Sequence, residues 1–146
     1  ARAVSRANRW PLYTAVQQRY SYLRPRPGVQ LPEGGHVHMT DELFDYAAAE
    51  GDVALVAYSA LLAGRYRDKP LDEHYDHPGT TRRLEVLHRV AAELGATVNQ
   101  VVLAWLLRQD IVPLVGATSV AQLEESLGAL EIELDDDQVA RMDAAV

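Results

Sequence analysis

Val53-Ala54-Leu55-Val56-Ala57-Tyr58 is a continuous apolar run of strand length, entered just after Gly51 and left at Ser59. It lacks the polar alternation of a half-solvated strand, which points to a strand covered on both faces, as in a parallel sheet. Two other stretches read as strands. Tyr13-Thr14-Ala15-Val16-Gln17 joins β-branched and aromatic residues without Gly or Pro, and Ile111-Val112-Pro113-Leu114-Val115 closes at Gly116. Helical patterns separate them. Thr40-Asp41-Glu42 opens a helix through Leu43, Phe44, Tyr46 and Ala47 that stops at Gly51. Leu84, Leu87, Ala91 and Leu94 form a stripe ending at Gly95, and Thr97 starts a helix with Val98, Val101, Val102, Trp105 and Leu106 on one face. A helix from Ser119 carries Leu123, Leu127 and Leu130, and a last one from near Asp135 carries Val139, Met142 and Val146. Ala1 to Asn8 reads as the tail of a helix. The order from the first strand is β-α-β-α-α-β-α-α, which argues for parallel β/α units.

Composition narrows the function. The chain has 146 residues, enough for one domain or a piece of a larger one. Hydrophobic residues at 48% and charged residues at 24% are the ordinary globular balance. With 14 basic against 21 acidic residues the net charge is −7, which repels a phosphate backbone and argues against a nucleic-acid partner. Without cysteine there is no disulfide, zinc-thiolate site or thiol catalysis. No apolar run is long enough to cross a bilayer, so the expectation is a cytoplasmic protein with no membrane partner. The chain begins Ala1-Arg2 without Met, which fits a start that was cleaved or cut away.

In β/α proteins ligands bind beyond the carboxyl ends of the strands. Gly116-Ala117-Thr118-Ser119 runs from the third strand straight into a helix, a geometry that suits a phosphate. The same residues also fit a plain capping box, Ser119-Val120-Ala121-Gln122, like those at Thr97-Val98-Asn99-Gln100 and Asp135-Asp136-Asp137-Gln138. At the second strand end, Tyr58 could stack a flat ring and Ser59 could bond a phosphate or sugar, with Arg65 and Arg67 neutralising charge. A core tyrosine and solvated arginines are the plainer reading. Gln17 ends the first strand and needs a polar partner, either a planar carboxamide ligand or a backbone group. The loop from Ser59 to Thr80 is longer than an ordinary connection and is therefore functional or mobile. His36-Val37-His38 and His74-Tyr75-Asp76-His77 lie in loops with no third ligand in view, so no metal is expected. No Gly-x-Ser-x-Gly elbow, Walker loop or Gly-x-Gly-x-x-Gly fingerprint is present.

Three stretches together carry a resemblance. They are Ala15-Val16-Gln17-Gln18-Arg19-Tyr20-Ser21, Val56-Ala57-Tyr58-Ser59-Ala60-Leu61-Leu62-Ala63-Gly64, and Gln100-Val101-Val102-Leu103-Ala104-Trp105-Leu106-Leu107-Arg108 leading to Val112-Pro113-Leu114-Val115-Gly116-Ala117. In order and spacing they resemble the carboxyl-terminal half of the aldo-keto reductases. The resemblance implies an α/β fold of the (β/α)8 TIM-barrel type, this chain supplying strands six to eight with their helices. It implies reduction of aldehydes or ketones to alcohols with NADP(H), without metal. By the same resemblance, Gln17 matches the residue that binds the nicotinamide carboxamide, and Tyr58 the aromatic beside the nicotinamide ring. Ser59, Leu61 and Gly64 match the loop around the pyrophosphate. Gly116, Thr118 and Ser119 match the segment at the adenosine phosphate, and Gln122 and Glu125 the positions around adenine and its ribose. The chain departs from the family pattern at Ala60, where Pro is usual, and at Ser126, where Asn is usual.

The family's catalytic Asp, Tyr, Lys and His belong to the first half of the barrel, so no residue here is expected to be catalytic; neither Lys69 nor any histidine matches that tetrad. A complete barrel takes about 250 residues. A half barrel exposes sheet edges and an apolar inner face, to be covered by a missing amino-terminal half, a second copy of the chain or a rearrangement, the first being the simplest. Three functions follow in order of preference: the cofactor-binding half of such a reductase, a fragment of a longer chain; a non-catalytic half barrel that self-associates or holds a nucleotide; and a recruited half barrel with another biosynthetic activity, using Tyr58, Arg65 and His74 for acid–base work.

Overall fold

The computed structural model describes residues 1–31, 37–67 and 69–145. Three parallel strands form one sheet in the order β1 (Ala15–Arg19), β2 (Ala54–Tyr58), β3 (Ile111–Pro113). The helices are α1 (Arg2–Asn8), α2 (Asp41–Glu50), α3 (Pro78–Leu94), α4 (Val98–Leu107), α5 (Val120–Leu127) and α6 (Asp136–Asp143). The apolar run that suggested a parallel sheet is its central strand.

Chemistry at the ends explains the helix limits. Thr40 caps α2 by accepting from Leu43 N, and Gly51 closes it at φ 74°. Pro78 begins α3 at a position where a missing N–H costs nothing, and Gly95 ends it at φ 61°. Thr97 and Gln100 bond reciprocally across the start of α4, as Asp135 and Gln138 do at α6. The middle of α4 is buried on every side, from Val101 to Trp105 and Leu106, as befits a core helix. Leu87, Val90, Val102, Leu106 and Ile111 fill the space between helices and sheet. Trp105 stacks on Tyr20 at 5.9 Å, meets Tyr22 edge-on at 5.2 Å, and donates its indole N–H to Asp143 at 2.8 Å. Among the described residues, no single helix is long and apolar enough to cross a membrane.

Four expectations need correction. First, β2 is not covered on both faces: Leu55 and Ala57 are buried, whereas Val56 and Tyr58 are only half-buried. The register puts Gln17, Val56 and Val112 in one row, and both Gln17 and Val112 are exposed there. One sheet face packs on the helices; the other is open. Second, β1 starts two residues later than expected and runs on through Gln18 and Arg19. Arg19 tolerates burial because it donates to the Tyr75 hydroxyl at 3.3 Å. Third, β3 ends at Pro113, which has no N–H for the ladder; Leu114 N adds one last bond to Ala57 O at 2.7 Å. Fourth, the long loop after β2 has structure of its own. Two 3₁₀ turns, Leu62–Gly64 and Glu73–Tyr75, interrupt it, and buried Tyr66 and Tyr75 anchor it.

Candidate functional site

The loop after β2 folds back by adopting an unusual backbone. Ser59 (φ 54°), Leu62 (φ 48°), Ala63 (φ 53°) and Gly64 (φ 86°) are all left-handed, and only the last is glycine. Each non-glycine residue in that region costs about 1–3 kcal/mol, so the surroundings must hold it there. They do so through Ala60 and Leu62, both buried, and through Leu62 N donating to Ser59 O at 3.0 Å and Gly64 N to Leu61 O at 2.9 Å. Lys69 donates to Ala63 O at 3.0 Å, laying its ammonium beside the same turn.

This loop is one wall of a cleft of about 660 Å³, within the usual range for small-molecule sites. The tip of β3 (Leu114, Gly116, Ala117, Thr118) and the start of α5 (Gln122, Glu125, Ser126) form the facing wall, and Asn99 enters from the first turn of α4. A single guanidinium nitrogen of Arg67 joins the walls, donating to both Glu125 carboxylate oxygens at 3.1 and 3.3 Å. The site is thus polar at its rim and backbone-lined at its floor. Among the described residues, Lys69 is the positive charge in its lining with no carboxylate partner.

Of the residues expected to bind a cofactor, Ser59, Leu61, Gly64, Gly116, Thr118, Gln122 and Glu125 do line this one cleft. Gln17 and Tyr58 do not. They stand on the open sheet face, Gln17 exposed and Tyr58 half-buried. Ser119 is the cap of α5, where its hydroxyl accepts from Gln122 N at 3.3 Å. The capping box expected there is incomplete. The Gln122 side-chain oxygen accepts from Thr118 N at 2.7 Å and from the Thr118 hydroxyl at 3.0 Å, one residue earlier than a box requires. This pins the β3–α5 turn against the cleft.

The charge-neutralising role expected of the two loop arginines is already filled within the chain. Arg65 pairs with Asp72 at 2.9 Å, as Arg67 does with Glu125. Tyr58 and Arg65 line neither the cleft nor the hollow that His74 borders with Arg26 and Glu73. His36 lies outside the described residues. Burial and the Arg24 guanidinium push His38 down to about 4, so it stays neutral at neutral pH, its ring tilted against Tyr20 at 5.0 Å. His77 contacts Arg24 O at 2.8 Å and the Thr80 hydroxyl at 3.2 Å, a structural role. Asn99 and Lys69 are cleft residues that pattern reading passed over. Asn99 was masked by the capping box around it, and Lys69 lies in an irregular loop without periodicity.

Known proteins place this geometry. The aldo/keto reductase family model matches residues 5–146. An aldo-keto reductase of Alternaria alternata, AFTS1, is 26% identical over 94% of this chain and 38% of its own length. Aldo-keto reductase yakc [NADP(+)] of Schizosaccharomyces pombe is 32% identical over 62% of this chain and 32% of its own. Among solved structures, the thermostable aldo-keto reductase Tm1743, in complex with the inhibitor epalrestat, has a TM-score of 0.57 and 31% identity over 73% of this chain and 34% of its own. Gox0644 in complex with NADPH has a TM-score of 0.64 over 98% of this chain and 41% of its own, at 13% identity, a likeness of fold alone. The chain therefore spans under half the length of these relatives. With the match running over nearly every residue from the first helix to the last, the chain belongs to the aldo/keto reductase family.

Proposed function

We propose that these residues are the cofactor-binding half of an NADP(H)-dependent oxidoreductase that reduces aldehydes or ketones to alcohols in the cytoplasm. The observation that carries the reading is the cleft itself. A strained loop after β2 and the glycine-bearing tip of β3 converge on one space of about 660 Å³. The names of two relatives add support, one carrying NADP(+) and one solved with NADPH. The residues suit such a group, since the glycine-bearing turns at Gly64 and Gly116, the Ser59 and Thr118 hydroxyls and the Lys69 ammonium line one space. The dinucleotide would supply the hydride. Gln17 would orient the nicotinamide through its carboxamide, and Tyr58 would offer the ring a flat face. Ser59, Leu61 and Gly64 would cradle the pyrophosphate, with Lys69 as counter-charge. Gly116, Thr118 and Ser119 would hold the adenosine phosphate, and Gln122 and Glu125 the adenine and ribose.

In this reading the sheet is strands six to eight of a (β/α)8 barrel. The open face bearing Gln17, Val56 and Val112 is its inner surface. Strands from a missing amino-terminal half would cover it and bring the proton-donating tyrosine and the rest of the substrate pocket. The exposed Val112 and Leu114 also suit a second copy of the chain, and the intact mass of the purified protein separates the two.

The test is NADPH titration of the intact protein, read by tryptophan fluorescence and thermal shift. A ligand at a hundred times its Kd stabilises the fold by about 2.7 kcal/mol, so Tm should rise while fluorescence is quenched. No quenching together with no thermal shift would end the proposal.

A further inference from the structure

Helix α1 ends on a left-handed arginine. Arg9, at φ 56°, donates its N–H to Arg6 O at 3.2 Å, and Trp10 N then donates to Ser5 O at 2.9 Å. This pair of bonds is a Schellman closure, which glycine usually makes and which an apolar contact usually accompanies. In α1 that contact would join Trp10 to Val4, yet the two stay 59% and 55% exposed. Trp10 also enters no ring stack or cation–π pair among the described residues. Ala3 and Ala7 are exposed as well, and the one buried residue of the helix is Arg2. Arg2 pairs with Glu50 and Asp52, and Arg6 with Glu50. Helix α1 is thus fastened to its own chain by charge, and its apolar side is unspent.

A receptor for that side lies elsewhere on the chain. The last turn of α4 and the 3₁₀ turn Gly128–Glu131 border a groove of about 480 Å³. Buried Ala104 and Ala129 line it together with Leu107, Leu130, Ile132 and Leu134. Its charged residues are Glu133, which is exposed, and Arg108, which is already paired with Asp136 at 3.0 Å. The charge of the two surfaces is opposite. Residues 1–10 hold three arginines and no acid, whereas residues 119–133 hold four glutamates and no base. None of the ion pairs among the described residues uses Arg9, Glu131 or Glu133.

We propose that the groove receives α1 of a second copy of this chain, with Trp10 as the anchor and Arg9 facing Glu131 and Glu133. An exposed tryptophan beside an arginine, set against an apolar hollow with an acidic border, is the composition of an interface hot spot. Helix and groove flank opposite edge strands, β1 and β3. A two-fold rotation therefore lets each copy give one α1 and receive the other, and the assembly closes at two. The inference does not depend on the cofactor reading.

Light scattering during gel filtration of the 146-residue chain tests it, from about 1 µM to about 100 µM. The mass should rise to that of two chains. Tryptophan emission should move to shorter wavelength over the same range as Trp10 leaves water, since Trp105 is buried throughout. Trp10→Ala should raise the Kd at least about thirtyfold, the scale of a hot-spot residue. Leu130→Glu, at a position 66% exposed, should do the same from the groove side while circular dichroism stays that of the parent. A chain that is monomeric over the whole range overturns the proposal and leaves the groove to another segment. A dimer that persists in either variant, or one that forms with no change in emission, overturns it too. The mass and emission of the unaltered chain need no variant, so a misfolded substitution cannot shelter the idea. No readout involves NADPH, so failure here and failure of the cofactor reading are told apart.

Discussion

Helices α5 and α6 are each eight residues long, and the more polar of the two is the better buried. Asp136–Asp143 carries three aspartates and an arginine, yet Met142 is fully enclosed and Gln138 nearly so. Val120–Leu127 is richer in aliphatic residues, yet none of its residues is buried; Val120 is 72% exposed and Leu127 53%. Hydropathy of the segment does not decide this; the availability of a partner does. Helix α6 lies on a prepared surface: the Tyr22 hydroxyl donates to Met142 O at 3.2 Å and the Trp105 indole to Asp143 at 2.8 Å. Helix α5 turns Gln122, Glu125 and Ser126 to the cleft and leaves Leu123 and Leu127 exposed. Aliphatic side chains left in water on one helix suit a surface that another segment covers. In the barrel we propose, the absent strands and helices cover it.

The sharpest way to break the comparison is to remove what α6 rests on. Trp105→Ala deletes the ring stacked on Tyr20, the edge contact with Tyr22 and the bond to Asp143 together. Truncating a buried tryptophan costs about 3–5 kcal/mol, enough to unfold a marginal domain. Urea denaturation should show that loss as a fall in midpoint. A cost under about 1 kcal/mol would mean that α6 is held by something else.

On the other helix the outcome should depend on context. Leu127→Ser in the 146 residues alone should change stability by less than about 0.5 kcal/mol, because the side chain is already half in water. In the complete barrel proposed above it should cost roughly 1.5–3 kcal/mol, the value of a leucine that has found cover. Parallel urea titrations of the two proteins decide between these values. Equal small effects in both would show that the leucines face solvent in the complete barrel as well.

The fold was largely legible because its signals are local. Glycines 51 and 95 and the caps at Thr40, Thr97 and Asp135 mark element ends through bonds within a few residues. The run at 53–58 could name a parallel strand but not its coverage, since that depends on residues far away in the chain or outside it. β1 was misplaced by two residues for a related reason: Arg19 looks like loop until Tyr75, distant in sequence, supplies its partner. The cleft followed the same division. Gly116 and Thr118 were found from the strand–glycine–cap pattern, and Gln122 from the family resemblance. Asn99 was hidden because nothing in Thr97-Val98-Asn99-Gln100 reveals that one carboxamide is used and its neighbour is not.

The smallest expected effect concerns the ion pair that fastens α6 to α3. Arg141 forks onto Glu93 through two bonds, 2.8 and 2.6 Å, and Gln138 adds a longer one at 3.4 Å. The bond to Arg141, aided by Gln138 and opposed by partial burial, draws the Glu93 carboxyl down to about 2. A depressed carboxylate stabilises the fold only while ionised. The contribution is therefore complete above the ordinary glutamate range near 4.5 and fades as pH falls toward 2. Glu93→Gln should lower Tm at pH 7, and the gap between variant and parent should narrow below about pH 4.5 and vanish near pH 2. The gap at neutral pH should be modest, because exposed pairs are screened by solvent and salt. The same substitution should leave the α5 surface untouched, so the Leu127 context effect must persist in its presence. A Tm gap that stayed constant from pH 7 to pH 2 would assign the loss to packing of the Glu93 side chain rather than its charge. The polar helix would then owe its place to Met142 and Trp105 alone.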